Sequence, residues 1–330
     1  MGKLAIVTVS LAGALQLATP IAGASGSGTA AAPPRLELPV RCHLGADCWV
    51  QNYVDRDPSP SARDFHCGAL TYDGHKGTDI RVADLAAENR GVDVLAAADG
   101  RVLRVRDGVP DISIRAPNAP STKGIECGNG LVIDHGGGWN TQYCHMRRGS
   151  IVVKPGDTVR AGGTLGQMGL SGDTEFPHLH FSVTHDAAIV DPFSLSPGCG
   201  DGPALWKSPL AYVERTVVSA GFASKGVESA EIDAGGIPPA KPDSDYLVAY
   251  VMAIGLHAGD RISLSLEDPK GAPLAASKDL ELTANKATHF VFVGKRRPGE
   301  RWPPGAYTAT YSVRGKADAV VLKKVIRIKL

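Results

Sequence analysis

The chain has 330 residues, and 35 Lys+Arg against 34 Asp+Glu leave a formal net charge of +1. That length accommodates two domains of ordinary size. A balanced charge without a basic run or stripe argues against nucleic acid as a partner, while leaving room for an extended polyanion in a local groove.

The first 24 residues read as a signal peptide. Lys3 is a short positive start, Leu4 to Ala18 is an apolar run, and Ala22-Gly23-Ala24 supplies small residues at cleavage-site spacing before Ser25. The run is short for a membrane anchor, no stop-transfer charges follow it, and no later segment reaches transmembrane length. An exported protein with no stable membrane span after cleavage is expected, placed in the periplasm, with an extracellular location as the alternative. Cys42, Cys48, Cys67, Cys127, Cys144 and Cys199 fit that address, because an even set in an exported chain favours disulfides over zinc–thiolate ligation.

Residues 25–64 read as a lead-in, Gly/Ala/Ser/Pro-rich and flexible over Ser25–Pro34 and bearing cysteines after that. Residues 65–200 form the next unit, with short β-like runs separated by glycine turns. Strands are predicted at Asp93–Ala97, Gly100–Arg106, Leu131–Asp134, Trp139–His145, Thr158–Val159, Thr164–Met168 and His178–Thr184, with one short helix at Asp84–Asn89. His135-Gly136-Gly137-Gly138 turns Leu131–Asp134 back into Trp139–His145, which brings Cys127 opposite Cys144 and suggests a disulfide between them. After a composition shift near Gly198–Pro209, residues 205–330 contain no cysteine and alternate with period two. Ile262, Leu264 and Leu266 against Arg261, Ser263 and Ser265 are one example. An immunoglobulin-like β-sandwich is expected there.

Four short motifs carry chemistry. Pro177-His178-Leu179-His180-Phe181 places two imidazoles on one strand face, with Leu179, Phe181 and Val183 turned to a core. Asp73-Gly74-His75-Lys76-Gly77-Thr78-Asp79-Ile80 offers an imidazole and a carboxylate in a glycine loop that enters a strand at Asp79. Tyr143-Cys144-His145-Met146 ends the returning strand of the hairpin, and Ser171-Gly172-Asp173-Thr174-Glu175-Phe176 leads into Pro177. Taken singly, H-x-x-x-D is a surface loop with a turn-capping Asp79, and His145 is a half-buried structural histidine. His135 reads as structural, His43, His66, His185, His257 and His289 read as bystanders, and Glu175 is at most a substrate contact.

Taken in order, the motifs resemble the lysostaphin/LytM-type zinc metallopeptidases that cut peptide bridges in peptidoglycan. The likeness extends over about residues 65–195, through Gly128-Asn129-Gly130-Leu131-Val132-Ile133-Asp134-His135-Gly136 and Val153-Lys154-Pro155-Gly156-Asp157-Thr158-Val159. It implies an all-β catalytic domain related to lipoyl/biotinyl half-barrels, followed here by the sandwich. It implies one zinc ion held by His75, Asp79 and His180, with His145 and His178 as the catalytic non-ligand histidines. Three protein ligands agree with a catalytic zinc, which keeps a position open for water. His178, sharing a strand face with a ligand, is the expected base. The implied activity is zinc-dependent hydrolysis of peptidoglycan cross-links. A non-enzymatic regulator of another wall hydrolase is the alternative, and the protein partner of the C-terminal domain is unknown. Met146 and Ser182–Val183 depart mildly from the family pattern.

Overall fold

Alternating apolar and polar runs dominate the chain, and the structure pairs them into antiparallel sheets. The computed structural model describes residues 1–2 and 32–330, so nearly all of the expected signal segment and the stretch up to Ala31 lie outside the described residues. No helix among the described residues is long and apolar enough to cross a membrane.

The N-terminal strands are β1 (Cys48–Asn52), β2 (Thr78–Val82), β3 (Asp93–Leu95), β4 (Gly100–Arg106), β5 (Asn129–Gly136), β6 (Trp139–Met146), β7 (Thr158–Val159), β8 (Thr164–Gln167), β9 (His178–His185) and β10 (Ala188–Val190). A short helix, α1 (Leu85–Asn89), is capped by the Asp84 carboxylate, which accepts from the Ala87 N–H. The main sheet runs β1-β2-β9-β6-β5-β4-β7, with β10 folded back on the end of β9, while β3 and β8 form a separate ribbon. Leu179, Phe181 and Val183 of β9 are buried on one face with Tyr143, Leu131 and Ile133 from neighbouring strands. Each such side chain contributes about 1.5–3 kcal/mol by leaving water. The opposite face of β9 is thereby left to His178, His180 and Ser182. Leu36, Val40 and Tyr53, from the segment read as a lead-in, are buried in the same core.

The C-terminal strands are β11 (Thr216–Ala223), β12 (Tyr246–Leu256), β13 (Arg261–Glu267), β14 (Pro273–Ala276), β15 (Leu280–Glu281), β16 (Lys286–Arg296), β17 (Ala306–Arg314) and β18 (Val320–Lys329), with one helix, α2 (Ser229–Ala234). They form a three-stranded sheet, β11-β12-β16, and a second sheet, β14-β13-β17-β18, with β15 against β13. Leu247, Ala249, Val251 and Ala253 of β12 meet Ile262, Leu264, Leu266, Tyr307 and Tyr311 in a shared core. β12 reads as a nearly continuous apolar run because its other face is buried too. There Met252 and Ile254 pack with Ile232 of α2 and with Trp49 of β1. The all-β expectation holds.

All six cysteines are paired: Cys127–Cys144, as the hairpin suggested, Cys42–Cys48 and Cys67–Cys199. The last closes a separation of 132 residues and Cys42–Cys48 one of 6. Loop-closure entropy rates these at about 5 and about 2 kcal/mol. The Cys67→Ser/Cys199→Ser protein should therefore unfold at a temperature roughly 6–12 °C below that of the Cys42→Ser/Cys48→Ser protein in a non-reducing thermal melt. Equal losses would contradict the loop-length argument.

Candidate metal centre

The β2–β9 ladder sets Asp79 directly opposite His180 and Arg81 opposite His178. Paired residues share a sheet face, so the Asp79 carboxylate meets the His180 ring on the side away from the core. His75 comes from the loop before β2. Its ring Nδ1 lies 2.7 Å from the Tyr53 carbonyl, and a carbonyl only accepts, so Nδ1 carries the proton and Nε2 presents a lone pair. His180 Nε2 lies 3.0 Å from Ser182 Oγ; assigned as the donor there, it leaves Nδ1 bare.

Three atoms then converge. His180 Nδ1 is 2.9 Å from Asp79 Oδ1, His75 Nε2 is 3.2 Å from Asp79 Oδ1, and the two ring nitrogens are 3.2 Å apart. The second Asp79 oxygen accepts from Asn52 Nδ2 at 2.9 Å, which turns Oδ1 towards the imidazoles. Gly77 makes room for this approach, since a Cβ there would lie 2.6 Å from His180 Nε2 and 2.8 Å from the Phe181 carbonyl oxygen.

His145 and His178 stand beside this group. β6 carries one more residue than β5 between the pairs Leu131–Tyr143 and Asn129–Met146, and His145 lies in that bulge at φ 62°. His145 Nδ1 lies 2.8 Å from the Ser171 carbonyl, and His178 Nδ1 lies 2.9 Å from that of Phe176 and 3.1 Å from Thr174 Oγ1. Each ring donates from Nδ1 to a carbonyl and keeps Nε2 free. Their ring centroids are 4.7 Å apart, and His178 Nε2 is 3.5 Å from Asp79 Oδ1.

Electrostatics follow from this crowding. Burial alone would raise the Asp79 carboxyl, but the His178 and His75 imidazoles overcome it and hold the group well below the usual carboxylate range. Burial opposes a charge on His75 as well, and the adjacent Asp79 outweighs it, so this imidazole is raised. His145 moves the other way, pushed well down by burial and then by its imidazole neighbours His178 and His180. A cavity of about 350 Å³ opens onto Asp79, His145, His178 and His180, with Tyr72, Asp173 and Glu175 among its other lining residues. Glu175 pairs with Arg115 at its rim.

The structure thus brings His75, Asp79, His145, His178 and His180 together. His135 is held between the Asp99 carbonyl and Thr141 Oγ1, a structural setting. Asn52 and the aiming roles of the Tyr53 and Ser171 carbonyls were missed, because backbone acceptors and a lone amide carry no sequence signature. Also missed were buried Arg81, whose guanidinium lies 4.6 Å over the Phe176 ring, and Ala287 of β16, which reaches the cavity wall.

A family model described as peptidase family M23 matches residues 73–192, which include all five residues. Residues 73–192 are an M23 peptidase domain. The chain is 34% identical over 109 residues to the peptidoglycan DD-endopeptidase ShyB of Vibrio cholerae, covering 33% of this chain and 20% of that protein. It is 30% identical over 119 residues to the cell division protein DipM of Caulobacter vibrioides, covering 36% and 17%. A crystal structure of a zinc-containing peptidase from Vibrio cholerae is 27% identical, covering 47% of this chain and 40% of that one, with a TM-score of 0.29. The chain therefore spans well under two thirds of each relative, and the likeness is centred on the M23 domain.

The Asn52 contact sets the aim of the M23 domain's carboxylate, although Asn52 precedes the matched residues. Asn52→Leu should weaken the affinity of this candidate centre for added zinc about 10–100-fold in competition with a coloured chelator, with the fold kept. Unchanged affinity would show that Asp79 is aimed without it.

Proposed function

We propose that residues 65–200 are an exported zinc endopeptidase unit hydrolysing peptide cross-links of peptidoglycan, and that residues 205–330 are an accessory β-sandwich. The observation that carries this reading is the His75–Asp79–His180 triangle. Two bare imidazole nitrogens and a carboxylate oxygen, all within 3.2 Å of one another, repel unless a cation or a proton lies among them. Edges of 2.9–3.2 Å are close to the roughly 3.3 Å separating ligand atoms in a tetrahedral zinc site with bonds of 2.0–2.1 Å. The donor set, two imidazoles and one carboxylate, is borderline-soft and suits zinc. Three protein donors are the number expected of a catalytic rather than a structural site.

Held by His75 Nε2, Asp79 Oδ1 and His180 Nδ1, zinc would polarise a peptide carbonyl and lower the pKa of water. The protein supplies the rest. His145 and His178 each keep Nε2 free because a carbonyl holds Nδ1–H. One can take a proton from the attacking water and return it to the departing amine, and the other, bare at Nε2, can accept a hydrogen bond from that water. His178, on the strand face of His180, remains the assigned base. Tyr72, Asp173 and Glu175 offer polar contacts to an extended peptide at the cavity mouth.

The paired cysteines and the export signal read in residues 1–24 support a periplasmic setting. In that setting the D-alanyl–diaminopimelyl bond is the proposed target. Similarity to a DD-endopeptidase over a third of the chain supports the same choice.

Incubation with isolated sacculi tests the reading. The zinc-loaded protein should release soluble cross-link fragments. His180→Ala and His145→Ala should each lose at least about 100-fold in rate, and chelation should abolish activity until zinc is restored. Full activity in His180→Ala would overturn the assignment. A zinc-loaded wild type that releases nothing would point instead to a non-enzymatic regulator.

A further inference from the structure

Strand β4 carries one residue more than its partner. Val102 pairs with Ile133 and Arg104 with Val132, so Leu103 sits in a bulge without a partner. Strict alternation would set Arg104 opposite Leu131, whose side chain is buried in the core. The bulge reverses this, and Arg104 and Arg106 emerge on the other face.

That face is the one that carries the histidines. Arg104 is opposite Val132, Val132 opposite Gln142, and Gln142 opposite Ser182. Ser182 in turn contacts His180 Nε2 at 3.0 Å. In the adjacent row Arg106 is opposite Gly130, and Cys144, bonded to Cys127, is opposite His180. One row of directly paired residues therefore leads from Ser182 beside the metal centre to Arg104, and the second, interrupted at the β6 bulge between Gly130 and Cys144, ends on Arg106. At about 4.8 Å per strand, Ser182 and Arg104 lie about 14 Å apart, the length of about four extended residues.

The residues between them on this face, Gly130, Val132 and Cys144, are small or buried. Gly130 has no room for a Cβ, which would collide with the Tyr143 carbonyl oxygen. Two cavities of about 180 and 300 Å³ lie on this surface, and Arg104, Val132 and Gln142 line both. Among the described residues the Arg104 side chain makes no ion pair and no hydrogen bond. Arg106 makes no ion pair and uses only Nε, on the Gly128 carbonyl at 2.6 Å. The nearby Glu126 carboxylate accepts from the Gly124 N–H. The two guanidinium groups thus retain most of their donors for a ligand.

We propose that Arg104 and Arg106 form a carboxylate-binding subsite at the far end of the substrate groove, selecting an acidic peptide. This rests on the peptidase reading above and adds the class of peptide that it takes. A guanidinium fork matches a carboxylate with two parallel N–H···O bonds, and two forks two residues apart on one strand present a short anionic clamp. The clamp lies several residues from the reacting bond, so it strengthens binding of substrate and transition state alike and acts on KM.

The test uses the full chain and two fluorescent, uncross-linked tetrapeptides, one with free side-chain carboxylates and one with those groups amidated. Fluorescence anisotropy should show wild type binding the acidic peptide about tenfold tighter than the amide. Arg104→Gln/Arg106→Gln should bind both with the weaker affinity, and Arg104→Gln alone should fall between, both variants keeping the wild-type melting temperature. In turnover of the matching cross-linked peptides, the double variant should lose on KM rather than kcat for the acidic substrate. The proposal is overturned if wild type shows no preference or if the preference survives in the double variant. An oligonucleotide competing as well as the acidic peptide would overturn it too, by revealing general anion attraction. A wild type that prefers the acidic peptide yet cleaves nothing would count against the peptidase reading and leave the subsite standing.

Discussion

A buried carboxylate facing three imidazoles governs this site. Asp79 is almost wholly removed from water, and an ionised carboxylate so placed is costly unless it is paired and hydrogen-bonded. One oxygen is satisfied by Asn52, and the other faces His180, His75 and His178 at 2.9, 3.2 and 3.5 Å. Each partner imposes a condition on the fold. β2 must lie beside β9 in the register that pairs Asp79 with His180, β1 must flank β2 to deliver Asn52, and Gly77 must lack a side chain so that the His180 ring can close in.

Three of the four histidines are aimed by backbone carbonyls, and His180 by the Ser182 hydroxyl. His75, His145 and His178 each give Nδ1–H to a carbonyl, those of Tyr53, Ser171 and Phe176. Carbonyls belong to segments that the core already fixes, so the three rings inherit the rigidity of the main chain. Two bulges complete the arrangement. The one in β6 lifts His145 onto the working face, and the one in β4 turns Arg104 and Arg106 onto it. The sandwich is not detached from this scaffold, because Met252 and Ile254 bury Trp49 of β1 and Ala287 reaches the cavity.

Much of this was legible in the residue pattern. Period-two alternation at His178–Thr184 and Trp139–His145 placed those strands, and the glycine turn between Asp134 and Trp139 paired Cys127 with Cys144. The five candidate residues His75, Asp79, His145, His178 and His180 were singled out because they recur in a known order. What escaped depends on contacts between segments far apart in the chain. Strand β1 is five residues long and lies in a region that read as a lead-in, so Asn52 carried no signal. The apolar residues of β11 and α2 make sense only against strands distant in the chain, Val218 and Ile232 against Met252, Ile254 and Trp49. Cys67–Cys199 encloses the whole M23 region, and no local geometry announces it. The bulge at Leu103 was invisible for a similar reason: a strand's face is set by its partner, and the sequence of β4 alone alternates either way.

The account stands on the claim that the triangle of His75, Asp79 and His180 holds zinc. An anomalous difference map at the zinc edge, from crystals of the full chain grown with one equivalent of zinc, addresses this directly. The account predicts a single strong peak about 2.0–2.2 Å from His75 Nε2, Asp79 Oδ1 and His180 Nδ1. A peak ligated instead by His145 and His178, or none at this triangle, would contradict it.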